Sequence, residues 1–128
     1  LTALRCIPRL YAVTDSTAAA GMPDGDYRLG EQKVTKCLGG VRLADGTLAG
    51  STLTMDQALR NFVSVGLSLA EASDRLSRFP ADFLGRRDIG RLEAGARADI
   101  VTLDPELTLT SVHLDGRLVS GEFHVTHA

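Results

Sequence analysis

The sequence lacks a surplus of positive charge and a long apolar stretch, and both absences exclude classes of function. Its 128 residues carry 14 Lys plus Arg against 16 Asp plus Glu, a formal net charge of -2. Without a basic surplus it cannot neutralise a run of phosphates, so we expect no nucleic-acid partner. No apolar run approaches the roughly 20 residues of a membrane span, and the start lacks the apolar core of a secretory signal. We therefore expect a soluble, cytoplasmic protein.

Cysteine and histidine are too scattered to predict a disulfide scaffold or a metal site. Cys6 and Cys37 have no CxxC spacing, and two cysteines do not form a disulfide scaffold in a chain of this length. His124 and His127 stand three apart without Cys, Asp or Glu partners, and His113 falls in an alternating strand pattern. Walker loops, GxGxxG and nucleophile elbows are also absent from the sequence. We expect free thiols and surface histidines.

Short apolar runs between turn residues predict strands in both halves of the chain. Residues 10–13 form a continuous apolar run typical of a strand buried on both faces, after a helix end at residues 2–5. Residues 27–29, 33–37 and 41–43 predict a small antiparallel meander. Residues 98–103, 107–114 and 118–119 predict three more strands, the last two joined by an Asp115-Gly116 turn.

Two amphipathic helices lie between these strand regions, and their ends are marked. Thr54 and Gln57 fit a capping box before a helix that ends at Gly66. The pattern repeats after Ser68, and Pro80 should stop the second helix and open a short turn. The pair predicts a helical hairpin.

Asp15 is the first candidate for chemistry. A carboxylate just past a buried strand occupies the place where α/β barrels put catalytic groups. An Asp in that place is more often a turn former or a helix cap. The residues alone therefore leave both interpretations open.

A second candidate is the segment DGTLAGSTLT at residues 45–54. Gly46 and Gly50 bracket main-chain groups that could closely approach a ligand. A hairpin exit followed by a helix cap explains the same composition, since Ser51, Thr52 and Thr54 all suit a capping role.

Several motifs together resemble one enzyme family. The segments VTD at 13–15, GMPDG at 21–25, YRLG at 27–30 and LADGTLAGSTLTM at 43–55 resemble, in order and spacing, the C-terminal part of N-acetylglucosamine-6-phosphate deacetylases. The later segment GRLEAGARADIV at 90–101 is similar to the amidohydrolase superfamily in general. The resemblance extends to about residue 119.

The resemblance implies an α/β fold: the C-terminal fragment of a metal-dependent (β/α)8 barrel hydrolase, with the last barrel strand and helices, plus strands of a small β-sandwich. Residues 1–88 would belong to the catalytic barrel, with the meander inserted at about 26–48, and residues 89–128 to the sandwich. The implied reaction removes the acetyl group from N-acetylglucosamine 6-phosphate, giving glucosamine 6-phosphate and acetate.

The resemblance also assigns roles to four residues. Asp15 matches the family's general base and acid, which takes a proton from metal-bound water and delivers it to the amine. Leu48, Ala49 and Gly50 match a segment whose main chain faces the sugar phosphate. A divalent metal, zinc or iron, would be held by residues upstream of Leu1, so this chain would supply no metal ligand, although Asp15 would lie beside the metal.

Further expectations and two alternatives follow. The fragment alone should be inactive; its partners would be an amino-sugar phosphate and either a second copy in a dimer or the remaining polypeptide of the enzyme. In one alternative the chain is a non-catalytic α+β structural or interaction module, and Asp15 is a turn residue. In the other it comes from a dihydroorotase- or deaminase-like amidohydrolase branch, which the DGTLAGSTLTM segment disfavours.

Overall fold

The structure, a computed structural model, describes residues 2–121, and these form two compact units. One unit is Val13–Ala58, and the other combines residues 2–12 with residues 59–121. None of the helices in this described part of the chain is long and apolar enough to cross a membrane. His124 and His127 lie outside the described residues, and a barrel-to-sandwich boundary after residue 88 stays a prediction.

A four-stranded antiparallel meander dominates the unit Val13–Ala58. Its strands, which pair in sequence order, are β1 (Gly25–Leu29), β2 (Gln32–Cys37), β3 (Gly40–Leu43) and β4 (Leu48–Ser51). Val34 and Val41 are fully buried together with Ala19 and form the core of this unit. The three predicted strands are confirmed, whereas β4 was missed because its sequence, LAGS, has no β-branched residue and no alternation.

The segment 10–13, predicted as a buried strand, is not one. It follows a short helix, α1 (Thr2–Cys6), and within residues 2–121 no strand pairs with it. The side chain of Val13 is 70% exposed. A strand that is apolar on both faces needs neighbouring strands on both sides, and the described residues do not supply them. The prediction of a strand here is therefore wrong for this structure.

The segment 10–13 is instead attached to the helical region through Arg75. The guanidinium of Arg75, whose residue is only 8% exposed, donates hydrogen bonds to the carbonyls of Leu10 at 2.7 Å and Leu4 at 3.0 Å. The amide of Ala12 donates to the carbonyl of Arg75 at 3.2 Å. One buried side chain thus fixes the N-terminal segment in its unit.

The helical region contains α2 (Met55–Ser64), α3 (Leu69–Ser73), a π-helical turn (Asp74–Arg78) and α4 (Phe79–Phe83). The capping box at Ser68 is confirmed: the Ser68 hydroxyl accepts from the Glu71 amide at 3.3 Å, and the Glu71 carboxylate accepts from the Ser68 amide at 2.9 Å. The prediction that Pro80 stops the second helix is wrong. The wider π turn precedes Pro80 and accommodates its ring and missing N–H, so the chain stays helical to Phe83.

Three antiparallel strands follow in the order β5 (Ile100–Leu103), β6 (Leu109–Leu114) and β7 (Arg117–Gly121). All three confirm sequence predictions. Asp115 and Gly116 have φ angles of 51° and 78°, as a two-residue hairpin turn requires.

Gly90, which opens the GRLEAGARADIV segment, lies against the helical region. Its φ is 72°, and a Cβ there would stand 2.5 Å from the Ser77 carbonyl oxygen and 2.9 Å from the Ala81 Cβ. Only glycine permits this close approach.

Candidate active site

Asp15 sits in a left-handed backbone conformation on an exposed loop. Its φ angle is 50°, which Asp and Asn tolerate better than other non-glycine residues because their short polar side chains bond locally. The residue is exposed, and the neighbouring Ser16 forms an isolated parallel bridge with Ser51 at the end of β4. The Asp15 loop is therefore paired with the strand that carries the second candidate segment.

Ser51 makes most of the contacts between β4 and this loop. Its amide donates to the carbonyl of Asp15 at 2.8 Å, and its carbonyl accepts from the amide of Thr17 at 3.0 Å. Its hydroxyl donates to the carbonyl of Thr14 at 2.5 Å. These bonds hold the main chain on both sides of Asp15 and so fix the backbone position from which its side chain projects.

Gly50 lies directly against Asp15. It is buried, with a φ of 136°, and a Cβ at this position would stand 2.7 Å from Cγ2 of Thr17 and 3.1 Å from the Asp15 carbonyl oxygen. The same Cβ would be 3.8 Å from Oδ2 of Asp15, so the carboxylate itself borders Gly50. Two residues that the resemblance assigned to proton transfer and substrate contact are thus adjacent.

Leu48 and Ala49 complete the predicted substrate segment on the same strand. The ladder between β3 and β4 pairs Arg42 with Leu48 and Val41 with Gly50, which leaves Ala49 without an opposite residue. Such a bulge redirects the main chain locally and occurs often beside functional sites. Leu48 is 62% exposed and Ala49 is half-buried against the core of the meander. The segment can therefore offer main-chain groups to a ligand.

The remaining predicted residues play other parts. Ser51 and Thr52 do not act as the helix caps that their sequence context suggests: the Thr52 hydroxyl donates to the carbonyl of Gly39 at 3.0 Å, while Ser51 contacts the Asp15 loop. No local signal in the sequence distinguishes these roles from capping. Cys6 and Cys37 are free, as predicted, and both are exposed.

Other polar features lie in the unit that contains the helices and the strands β5–β7. A cavity of about 510 Å³ there is lined by charged side chains that include Arg78, Arg91 and Glu93. Elsewhere in this unit the pKa of Asp88 is lowered to about 2, chiefly by its hydrogen bond to Arg86. Half-buried His113 lies on β6. The charged side chains among these groups form ion pairs, and His113 belongs to the strand β6.

The described residues do not by themselves fit a metal ion. Among residues 2–121 no group of three or more His, Cys, Asp or Glu side chains could hold one. The three atoms nearest to the Cβ position of Gly50 are a methyl carbon of Thr17 and a carbonyl and a carboxylate oxygen of Asp15, whereas Zn²⁺ requires three or four N, O or S ligands. Asp15 alone cannot form such a centre.

Comparison with known proteins agrees with the motifs. The sequence profile of the amidohydrolase family matches residues 14–123. An N-acetylgalactosamine-6-phosphate deacetylase from Escherichia coli O157:H7 is 44% identical over 114 residues, which are 88% of this chain and 30% of the relative. An N-acetylglucosamine-6-phosphate deacetylase from Vibrio furnissii is 36% identical over 116 residues, covering 89% of this chain and 29% of the relative.

A solved structure agrees as well. The crystal structure of N-acetylglucosamine-6-phosphate deacetylase from Thermotoga maritima superposes with a TM-score of 0.79 and 41% identity, covering 88% of this chain and 31% of that one. The chain thus spans a little under a third of each of these three proteins. The resemblance seen in the motifs is confirmed, and the chain belongs to the amidohydrolase family.

Proposed function

We propose that this chain is the C-terminal portion of a deacetylase that hydrolyses N-acetylglucosamine 6-phosphate to glucosamine 6-phosphate and acetate. The observation that carries the proposal is the contact between Asp15 and Gly50, with the carboxylate oxygen of Asp15 3.8 Å from the Cβ position of Gly50. A proposed proton-transfer group thereby stands beside the bulged strand β4, which carries the proposed substrate segment. The names of the relatives supply the substrate class.

Asp15 is proposed as the general base and acid. Hydrolysis of an amide needs a base that accepts a proton from the attacking water and an acid that protonates the departing amine. One exposed carboxylate can do both in sequence, because a carboxylate that has accepted the proton as the base can then donate it as the acid. The bonds at Ser51 keep it beside Leu48, Ala49 and Gly50, the proposed substrate contact.

We propose that residues outside this sequence complete the site. The chain spans about 30% of the length of the two relatives named above, and its described residues do not form a metal centre. A divalent zinc or iron centre, membership of residues 1–88 in a (β/α)8 barrel and sandwich strands at residues 89–128 remain part of this proposal. The proposal also includes a cytoplasmic location and, as partner of this chain, either a second copy in a dimer or the remaining polypeptide of the same enzyme.

N-acetylgalactosamine 6-phosphate is a second candidate substrate, because the relative from Escherichia coli O157:H7, at 44% identity, carries that sugar in its name. The two sugars differ only in the configuration of one hydroxyl group. Nothing in residues 48–50 selects between them through a side chain, since the proposed contacts are made by the main chain.

The test is an assay of the complete polypeptide that contains this sequence, with acetate release measured on both phosphorylated sugars and on unphosphorylated N-acetylglucosamine. We expect turnover on a 6-phosphate and at least about tenfold lower kcat/KM without the phosphate, because binding energy from the phosphate is lost. Absence of turnover on both 6-phosphates would contradict the proposal and favour the non-catalytic module. The 128-residue chain alone should release no acetate.

A further inference from the structure

We infer that Ser51 is a positioning residue for Asp15, which fixes the carboxylate relative to the Leu48–Gly50 segment. The inference rests on the proposed function, because the position of Asp15 matters to a reaction only if Asp15 transfers a proton. It adds to that function a residue that contacts no reacting atom and acts through its neighbour.

The main chain of Ser51 provides the first half of the argument. Its amide and carbonyl bond to Asp15 at 2.8 Å and to Thr17 at 3.0 Å, so one residue of β4 brackets the loop around Asp15. These bonds form the isolated parallel bridge between Ser16 and Ser51. The loop is consequently an extension of the sheet at this one point, although the segment 10–13 before it has no strand partner in the described chain.

The hydroxyl of Ser51 provides the second half. It donates to the carbonyl of Thr14 at 2.5 Å and accepts from the amide of Leu53 at 3.0 Å. The hydroxyl therefore uses its one donor and one of its two acceptor lone pairs. A local serine turn accounts for the bond with Leu53, two residues further on, but not for the bond to Thr14, which lies in a distant part of the sequence. The bond to Thr14 fixes the residue directly before Asp15.

The conformation of Asp15 explains why this support is needed. A non-glycine residue at a φ of 50° is held in a sparsely populated conformation, which persists only where its surroundings impose it. Release of the Thr14 carbonyl lets the peptide before Asp15 rotate, and the carboxylate then moves away from Gly50. A displacement of about 1 Å in a reacting group can cost roughly 100-fold in rate.

The structural half of the inference is tested by amide hydrogen exchange in the complete polypeptide that contains this sequence, comparing Ser51→Ala with the matched variant Thr52→Val. The second change also removes one hydroxyl from the adjacent residue, but that hydroxyl donates to Gly39, away from the Asp15 loop. We expect Ser51→Ala to accelerate exchange at the amide of Thr17 roughly fivefold, as loss of a neighbouring hydrogen bond does.

The core amides of Val34 and Val41 serve as the internal reference, because both residues are fully buried in the same unit. Exchange at these amides should stay within about twofold in both variants, while Thr52→Val leaves Thr17 unchanged. If Thr17 accelerates only as much as Val34 and Val41 do, the effect of Ser51→Ala is general destabilisation. That result overturns the inference.

The functional half is tested in the complete enzyme. Ser51→Ala should lower kcat by roughly tenfold with KM within about twofold, because a misplaced proton-transfer group affects the chemical step more than binding. Ser51→Thr keeps the hydroxyl and should restore most of the kcat, and Thr52→Val should match the unmodified enzyme. Unchanged kcat in Ser51→Ala overturns the inference while the proposed function stands. An unmodified enzyme without deacetylase activity contradicts the proposed function itself, whereas the exchange result still decides the contact.

Discussion

The Cα of Gly50 lies so close to Asp15 that a methyl group at this position would stand 3.1 Å from the Asp15 carbonyl oxygen. The φ of Gly50, 136°, is also one that residues with a side chain rarely adopt. Its lack of a side chain is therefore required by the packing of the Asp15 loop on β4. A role in substrate binding would add to this structural requirement and would not replace it.

Gly50→Ala should consequently destabilise the unit Val13–Ala58 by about 2–4 kcal/mol, from backbone strain and overpacking together. The control is Gly46→Ala. Gly46 also has a positive φ, 86°, but its Cβ would meet nothing within 4 Å, so only strain of about 1 kcal/mol applies. Urea unfolding, followed by NMR at the amides of Val34 and Val41, measures the free energy of unfolding of both variants. Equal losses in the two variants would contradict the close packing at Gly50.

A second change should partly rescue Gly50→Ala. Cγ2 of Thr17 is the nearest atom to the Cβ position, at 2.7 Å, and Thr17→Ser removes that methyl group while keeping the hydroxyl. The double variant should recover about 1 kcal/mol relative to Gly50→Ala, because the overpacking is relieved and the backbone strain is not. A double-mutant cycle with no coupling between the two positions would contradict the contact.

Replacement of Arg75 tests how the N-terminal segment is held. Arg75→Met should destabilise the chain by about 1–3 kcal/mol, because the carbonyls of Leu4 and Leu10 lose their donor. Residues 2–12 should also become more sensitive to limited proteolysis. Arg78→Met is the matched control: like Arg75, Arg78 faces the Phe79 ring, but its ion pair with Asp74 is partly exposed, so we expect a change within about 0.5 kcal/mol. Equal effects would contradict the anchoring role of Arg75.

The pair between Arg86 and Asp88 predicts a pH effect. The pKa of Asp88 falls from 3.8 to about 2, first through its hydrogen bond to Arg86. Because the folded-state pKa is the lower one, the pair contributes stability above pH 3.8 and loses it as the pH falls towards about 2. Arg86→Gln should return the pKa of Asp88 towards 3.8 in a carboxyl NMR titration. An unchanged titration would show that Arg86 is not the cause.

Elements with a local signal could be predicted from the sequence. The Asp115-Gly116 turn requires two positive φ angles, and the residues themselves favour them. The capping box at Ser68 is likewise readable because its two hydrogen-bonding partners stand three residues apart. Both are present in the structure: the turn separates β6 from β7, and the capping box marks the start of α3.

Features that depend on distant residues could not be predicted in this way. Apolar character at residues 10–13 indicates a buried strand only if other strands surround it, and neighbouring residues carry no information on that. The hydroxyl of Ser51 suits a helix cap equally well, and its bond to Thr14 depends on how β4 meets a loop far along the chain. The resemblance named Asp15 and Gly50 separately, but only the structure shows that they touch.

The kcat of Asp15→Asn in the complete enzyme tests the central claim most directly. Asn tolerates a φ of 50° and keeps the main-chain bond to Ser51, so the loop should persist while the titratable group is lost. We predict a fall in kcat of about 100-fold or more, with unchanged amide exchange at Thr17, whereas Asp24→Asn, the same change at an exposed loop carboxylate, should stay within about twofold. A kcat for Asp15→Asn within a few-fold of the unmodified enzyme would contradict the assignment of proton transfer to Asp15.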